Sequence, residues 1–230
     1  VGKVKSVEKE LIEEETILEK ELKTQGDGWG IFIPPRLVYK TLNYNKFKKY
    51  IAKKLKEIDE EEYVVIHGRA ATSGDIALYN THPILFYGKE DFITDPLIDE
   101  IEIKVSKKEL LLFHNGIIGE YSDLNNIIII KNKILYEIKP KEKYKFNDTK
   151  RFVEKIKVLS YNKILEKIEK ESDTNRFALI NIKEQTITLF GRWHKFKDIY
   201  TSVYILDINY NSTCNLPYYK WEYDIWKKSL

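Results

Sequence analysis

Methionine is absent from this 230-residue chain, and cysteine occurs once, at position 214. A single thiol excludes an internal disulfide, and no Cys/His grouping has zinc-ligand spacing, so no metal or cofactor site is expected. Long apolar runs are missing too: no eighteen-residue apolar stretch occurs, and Val-Gly-Lys-Val-Lys at residues 1–5 leads into charge rather than an apolar leader. The expectation is a soluble, cytoplasmic protein without a membrane partner. On that reading the Asn-x-Thr sequons at Asn147 and Asn211 are chance occurrences. An excess of either charge sign is also lacking, with 39 Lys and Arg against 36 Asp and Glu and a formal charge of +3. That balance gives no bulk field to attract nucleic acid. No repeat, Pro-rich linker or low-complexity tract divides the chain, which reads as one domain, 1–230.

What the chain does contain is ordinary globular patterning, 43% hydrophobic and 33% charged. Lys, Glu, Ile, Tyr and Asn abound while Gln is scarce, a bias that an AT-rich genome (phage and viral genes among them) or a hot environment produces. After a short strand at 1–5, Ser6 can cap a helix in which Val7, Leu11, Leu18 and Leu22 recur at helical spacing. "YNKFKKYIAKKLKEI" places Phe47, Tyr50, Ile51, Leu55 and Ile58 on one stripe with lysines opposite, which reads as a solvated face rather than a nucleic-acid patch. "EYVVIHGRAAT", "ILFYG", "IEIKVS" and "ELLLFHN" read as strands, and "NIIIIKNKILYEI" as a strand pair or, as the alternative, a buried helix. A helix begins near Asn147 and Asp148 and breaks around Ser160. "RFALINIKEQTITLFGRW" and "YTSVYILDI" close the chain as antiparallel strands. Helices and strands come in blocks rather than in βαβ alternation, so the class is α+β, with antiparallel sheets and helices packed outside them near 6–23, 45–58 and 148–171.

"LLLFHNGIIGEY", residues 110–121, interrupts an apolar run with His114, Asn115 and Gly116. Taken locally, Asn-Gly between two apolar runs signals a hairpin, because both residues tolerate positive φ. Three other segments change that reading: "GDGWGIFI", "HGRAATSGDIALYNTHP" and "NDTKRF". Together, and in this order, the four resemble the class II glutamine amidotransferase (glutaminase) domain of the N-terminal-nucleophile hydrolases, over essentially the whole chain. The resemblance implies a four-layer αββα sandwich with two antiparallel sheets inside. It also implies that "HNG" is a turn that aims donors, with the Asn115 side-chain amide and the Gly116 N–H forming an oxyanion hole. Such donors are each worth about 3 kcal/mol in barrier height.

The remaining roles follow from the same resemblance. Arg69 falls where the family binds the α-carboxylate of glutamine, for which a forked guanidinium is suited; an Arg at a strand end also suits a plain salt bridge. Thr72 falls in the same pocket. Asp148 takes the position of the acid that holds the α-ammonium, and an Asp there suits helix capping as well. Trp29, in the glycine-rich segment, is expected to form part of the wall. His82 and His114 are expected to be hydrogen-bonded structural histidines rather than general bases.

One position departs from the pattern. The family's nucleophile is an N-terminal cysteine followed by glycine, whereas here Val1 precedes Gly2. Valine offers no nucleophilic atom. Cys214 lacks an adjacent His or amine and reads as a small loop or buried residue. Ala70 and Ser73 also replace an aromatic and a His found in synthase-linked members. Three readings stay open: a pseudoenzyme that keeps the glutamine pocket for sensing, regulation or structure; an active subunit whose native residue 1 is cysteine and whose ammonia goes to a partner synthase on a second polypeptide; and a fold-only component of a virion or other assembly.

Overall fold

The computed structural model describes residues 1–13, 16–88, 98–121, 127–131, 134–138, 145–196, 198–202 and 221–224. Cys214, Asn211 and residues 203–208 of the expected last strand lie outside these. The strands, in chain order, are β1 (Gly2–Lys3), β2 (Trp29–Ile33), β3 (Leu37–Thr41), β4 (Tyr63–Gly68), β5 (Ile84–Leu85), β6 (Glu100–Lys104), β7 (Leu110–Asn115), β8 (Ile127–Lys131), β9 (Ile134–Ile138), β10 (Arg176–Asn181), β11 (Thr186–Phe190), β12 (His194–Phe196), β13 (Ile199–Thr201) and β14 (Trp221–Asp224). The α-helices are α1 (Val4–Glu8), α2 (Ile17–Thr24), α3 (Tyr44–Lys54), α4 (Asp148–Ile156) and α5 (Tyr161–Glu171).

Two antiparallel sheets organise these elements. One has the order β12-β13-β1-β4-β2-β3-β6, the other β14-β11-β10-β7-β5, and β8 with β9 forms a separate hairpin. The class expected from the sequence, α+β with antiparallel sheets, is what the fold shows. Strand alternation sorts the side chains of β2 and β4 to opposite faces. Phe32 and Val65 meet Leu111, Phe113 and Ile180 of the other sheet in one apolar cluster. Trp29, Ile31, Ile33 and Val64 meet Val4, Val7, Phe47 and Ile51 of α1 and α3 in a second. On the second sheet, Leu112, Phe177 and Leu179 face Phe152, Ile156, Ile164 and Ile168 of α4 and α5. Apolar contact therefore runs between the sheets and from each sheet to its own helices.

The helix boundaries follow local chemistry. Asn43 caps α3 by accepting from Lys46 N (3.1 Å), and Asn147 caps α4 by accepting from Lys150 N (2.7 Å). The break around Ser160 is present, with α4 ending at Ile156 and Ser160 at the N-cap of α5. The first helical segment differs from expectation. Ser6 lies inside α1, which starts at Val4; a π-helical turn follows at Lys9–Glu13, and Thr16 caps α2 by accepting from Glu19 N (3.2 Å). A threonine hydroxyl with a free backbone donor three residues ahead outcompetes a serine already enclosed by the preceding turn.

Two lysines of α3 pair with acids on neighbouring elements. Lys46 pairs with Asp99 (2.8 Å) and Glu100, and Lys48 with Glu19 (3.2 Å). No described helix is long and apolar enough to cross a membrane.

The layering predicts a sharp contrast in urea denaturation. Phe32→Ala empties a fully buried position between the sheets and should cost about 3–5 kcal/mol. Lys46→Ala removes an exposed ion pair and should cost under about 1 kcal/mol.

Candidate ligand-binding site

The motif residues converge at one end of the sandwich because three strands end there. β4 runs out at Gly68, β7 at Asn115, and β1 contributes only Gly2 and Lys3. A cavity of about 550 Å³ lies at this end, within the usual range of small-molecule sites, about 300–1,000 Å³. Val1, Arg69, Thr72, Asn115, Gly116 and Asp148 all border it. Trp29 does not. As the first residue of β2 it shares a face with Ile31 and Ile33, packs against the helices and donates its indole N–H to Leu22 O at 2.8 Å. The expected wall role is corrected on that ground: the indole is set behind Leu22, and it is Leu22 that borders the cavity.

The polar corner is built from the loop after β4. Arg69 N donates to Gly28 O, Asp27 N to Arg69 O, and Asp27 Oδ2 accepts from Ala71 N at 2.7 Å, which stitches "GDGWG" to "RAAT". The Arg69 guanidinium, almost fully buried, donates to Ser73 O (2.7 Å) and Asp75 O (3.0 Å). Burial draws its pKa down, and the carboxylates of Asp27, Asp148 and Asp75 oppose that shift. Gly74, at φ +71, lets the loop pass against Asn147, where a Cβ would meet backbone. Asn80 then holds Asn147 by two bonds, Asn147 N to Asn80 Oδ1 and Asn147 Nδ2 to Asn80 O, each 2.9 Å.

Asp148 is the first residue of α4, one past its cap. Its Oδ2 accepts from Ile118 N (2.8 Å) and its Oδ1 from Thr149 N (2.9 Å), while Ser73 Oγ accepts from Asp148 N (3.0 Å). Arg69 and Asp148, 79 positions apart in sequence, thus share Ser73 as a common neighbour. Thr72, beside it, is exposed at the edge of the cavity.

"HNG" is not a hairpin. β7 pairs with β10 and β5, and the chain beyond Gly116 leaves the sheet for a 3-10 turn at Gly119–Tyr121. Gly116 has φ +137, and a Cβ there would overlap Asn175 Oδ1. The glycine is therefore required twice, by conformation and by space. Asn115 Nδ2 donates to Ser202 Oγ at 2.7 Å.

Histidines support this strand end. His114 Nε2 lies 3.0 Å from Asn175 Oδ1 and Nδ1 lies 2.7 Å from Thr149 Oγ1. A carboxamide oxygen only accepts, so the proton is on Nε2 and the threonine hydroxyl donates to Nδ1. The His114 carbonyl accepts from His67 Nε2 (2.9 Å), a bond from β4 of one sheet to β7 of the other. The same His67 N–H faces His82 Nδ1 at 3.0 Å. His82 and His114 thus occupy the hydrogen-bonded positions foreseen from sequence, whereas His67, Ser73, Asn175 and Ser202 carried no role in that reading. "HGRAAT" did place His67 two residues before Arg69. The others lack a local signal, since Asn175 and Ser202 act only through distant strands. Among the described residues, no group of three or more His, Cys, Asp or Glu is arranged to hold a metal ion.

In comparisons with known proteins, no protein-family model matches the chain, and no curated protein matches it.

Two measurements follow. Burial pulls the His67 pKa down to about 3, and those of His82 and His114 fall as well. A histidine kept neutral in the fold contributes stability that is complete above its unfolded pKa of about 6.5 and is lost as pH falls toward the folded value. Each such group should cost about 1.4 kcal/mol per pH unit below 6.5. The urea midpoint should therefore drop steeply between pH 6.5 and 4.5, and less steeply in His67→Gln, whose amide can keep the donor. Separately, Gly116→Ala should destabilise by about 1–3 kcal/mol through strain and overlap, and Asn175→Gly, which removes the overlapping side chain, should make the same change less costly.

Proposed function

We propose that this chain is a class II glutamine amidotransferase-like domain with the four-layer αββα sandwich of the N-terminal-nucleophile hydrolases. In this reading it binds glutamine or a similar small amide in the cytoplasm without hydrolysing it, as a sensor, regulator or structural component. The observation that carries the reading is the meeting of Arg69, Thr72, Asn115, Gly116 and Asp148, drawn from separate segments, around one cavity with Val1. The three apolar clusters, helix to sheet, sheet to sheet and sheet to helix, support the layering.

The chemistry assigns each end of the ligand. Arg69 receives the α-carboxylate, Asp148 the α-ammonium, and the side-chain amide lies toward Asn115 and Gly116. Amide hydrolysis through a covalent intermediate needs a nucleophilic atom, and the Val1 side chain has none. Donors at Asn115 and Gly116 then bind the amide oxygen without a reaction to accelerate. No cofactor is required. A second reading, a fold-only relative serving in an assembly, is favoured by one observation. The guanidinium of Arg69 and the carboxylate of Asp148 are both engaged within the protein, on Ser73 O and Asp75 O and by Ile118 N and Thr149 N.

Thermal scans with glutamine separate the two. At ten times its dissociation constant, glutamine should stabilise the protein by about 1.4 kcal/mol, a rise of about 3–6 °C for a chain of this length. Arg69→Lys keeps the charge, loses the fork and should abolish the shift. Unchanged melting of the parent protein at millimolar glutamine supports the assembly reading instead. The protein as written should release no ammonia from glutamine, and Val1→Cys, produced with residue 1 first, should gain that activity.

A further inference from the structure

Arg176 borders the cavity with most of its donors unused. It opens β10 directly opposite Asn115 of β7. Along β10, Ala178 and Ile180 point between the sheets, while Phe177 and Leu179 point toward the helices. Alternation therefore puts the Arg176 side chain on the intersheet face. The same count from Leu111 and Phe113 puts Asn115 on that face too, where its amide reaches Ser202 just beyond β13. None of these groups lies on β1.

The guanidinium is fixed at one point. Its Nε donates to Arg192 O at 2.9 Å. The turn presenting that carbonyl is itself held, by Gly191 at φ +85 and by the Trp193 indole, which donates to Phe190 O at 3.0 Å. A guanidinium carries five N–H donors, and this bond uses one. Among the described residues, neither terminal nitrogen of Arg176 has a partner. The charge sits at the mouth between the sheets, since the pKa of His194 on β12 is lowered by burial and then by Arg176.

The cavity thus has a cation at each of two places. Arg69 stands at the corner with Asp148. β4, which leads into Arg69, is bonded to β7 through His67 and the His114 carbonyl, and β10 lies one strand beyond. Among the described residues bordering the cavity, the carboxylates are Asp148 and Glu21 of α2, and neither pairs with Arg176. A half-buried fork with open donors calls for two acceptors side by side. A carboxylate supplies both, whereas a carboxamide supplies one and sets its NH2 against the second arm.

We infer that the cavity takes an α-amino acid with an acidic far end, glutamate or its next homologue 2-aminoadipate, the far carboxylate lying on the Arg176 fork. The inference rests on the glutamine reading for the contacts of the α-carboxylate with Arg69 and the α-ammonium with Asp148. It departs from that reading at the other end, where a carboxylate replaces the amide. Ser202 Oγ accepts from Asn115, which leaves the hydroxyl proton to donate to the same carboxylate. Arg176 is then the residue that sets specificity.

Calorimetry of the full chain with glutamine, glutamate and 2-aminoadipate tests this. At least one of the two acids should bind about tenfold or more tighter than glutamine, the effect of one added charge-assisted contact. Arg176→Gln should erase that preference and leave the affinity for glutamine little changed. Arg69→Lys should weaken all three ligands, because it acts at the shared end. Glutamine binding as tightly as both acids, or more tightly, overturns the inference and leaves the glutamine reading standing. An acid preference that survives Arg176→Gln also overturns it. Binding of none of the three overturns both readings.

Discussion

A buried carboxylate holds the cavity end of the molecule together. Asp148 is 5% exposed, and an ionised side chain in such surroundings persists only where hydrogen bonds replace its hydration. The replacement comes from Ile118 N, Thr149 N and the nearby Arg69 charge, together with the dipole of α4, which favours an anion at its first turn. These partners belong to the chain after "HNG", to the helix itself and to the corner after β4. One charge thus fixes the relative positions of the segments that carry the motif residues. Ser73, which touches both Arg69 and Asp148, makes the corner a single hydrogen-bonded unit.

The cavity joins two environments. Its polar end lies at this corner, and its other side runs under α2 among leucines. Val1 stands where the two meet. Its isopropyl group packs against the intersheet core, so substitution of the residue at this position alters the chemistry of the cavity with little change in packing volume. The polar groups that border the cavity come from three segments, the loop at 69–72, the strand end at 115–116 and the start of α4 at Asp148, while position 1 contributes a single side chain.

What could be read from sequence was local or periodic. Asn147 and Ser160 marked helix boundaries because capping depends on residues within four positions. Exposed glutamates and half-buried isoleucines alternate along β6 as "EIEIK" dictates. What escaped was long-range. Lys46 of α3 finds Asp99 and Glu100, about fifty residues away, and Asn175 reaches His114 only once β10 has paired with β7. Asn-Gly proved ambiguous because positive φ at the glycine serves an exit from the sheet as well as a hairpin. The placement of Trp29 was recoverable in principle, since counting alternation from the buried Phe32 puts residue 29 on the far face.

The pairing of Gly2 with Ile199 has a consequence for the order of events in folding. β1 is held between two strands, one formed about sixty residues later and the other nearly two hundred. During synthesis, at about 5–20 residues per second, the first strand therefore waits ten seconds or more, on the order of this rate, before its second neighbour exists. β4 with β2 and β3 can assemble early from nearby sequence, while closure of the sheet around Val1 is among the last steps. Loop closure over such a separation also slows the refolding of the complete chain. The cavity at this end consequently takes its final shape late, after the hydrophobic layers on both sides of the sheets are already in place.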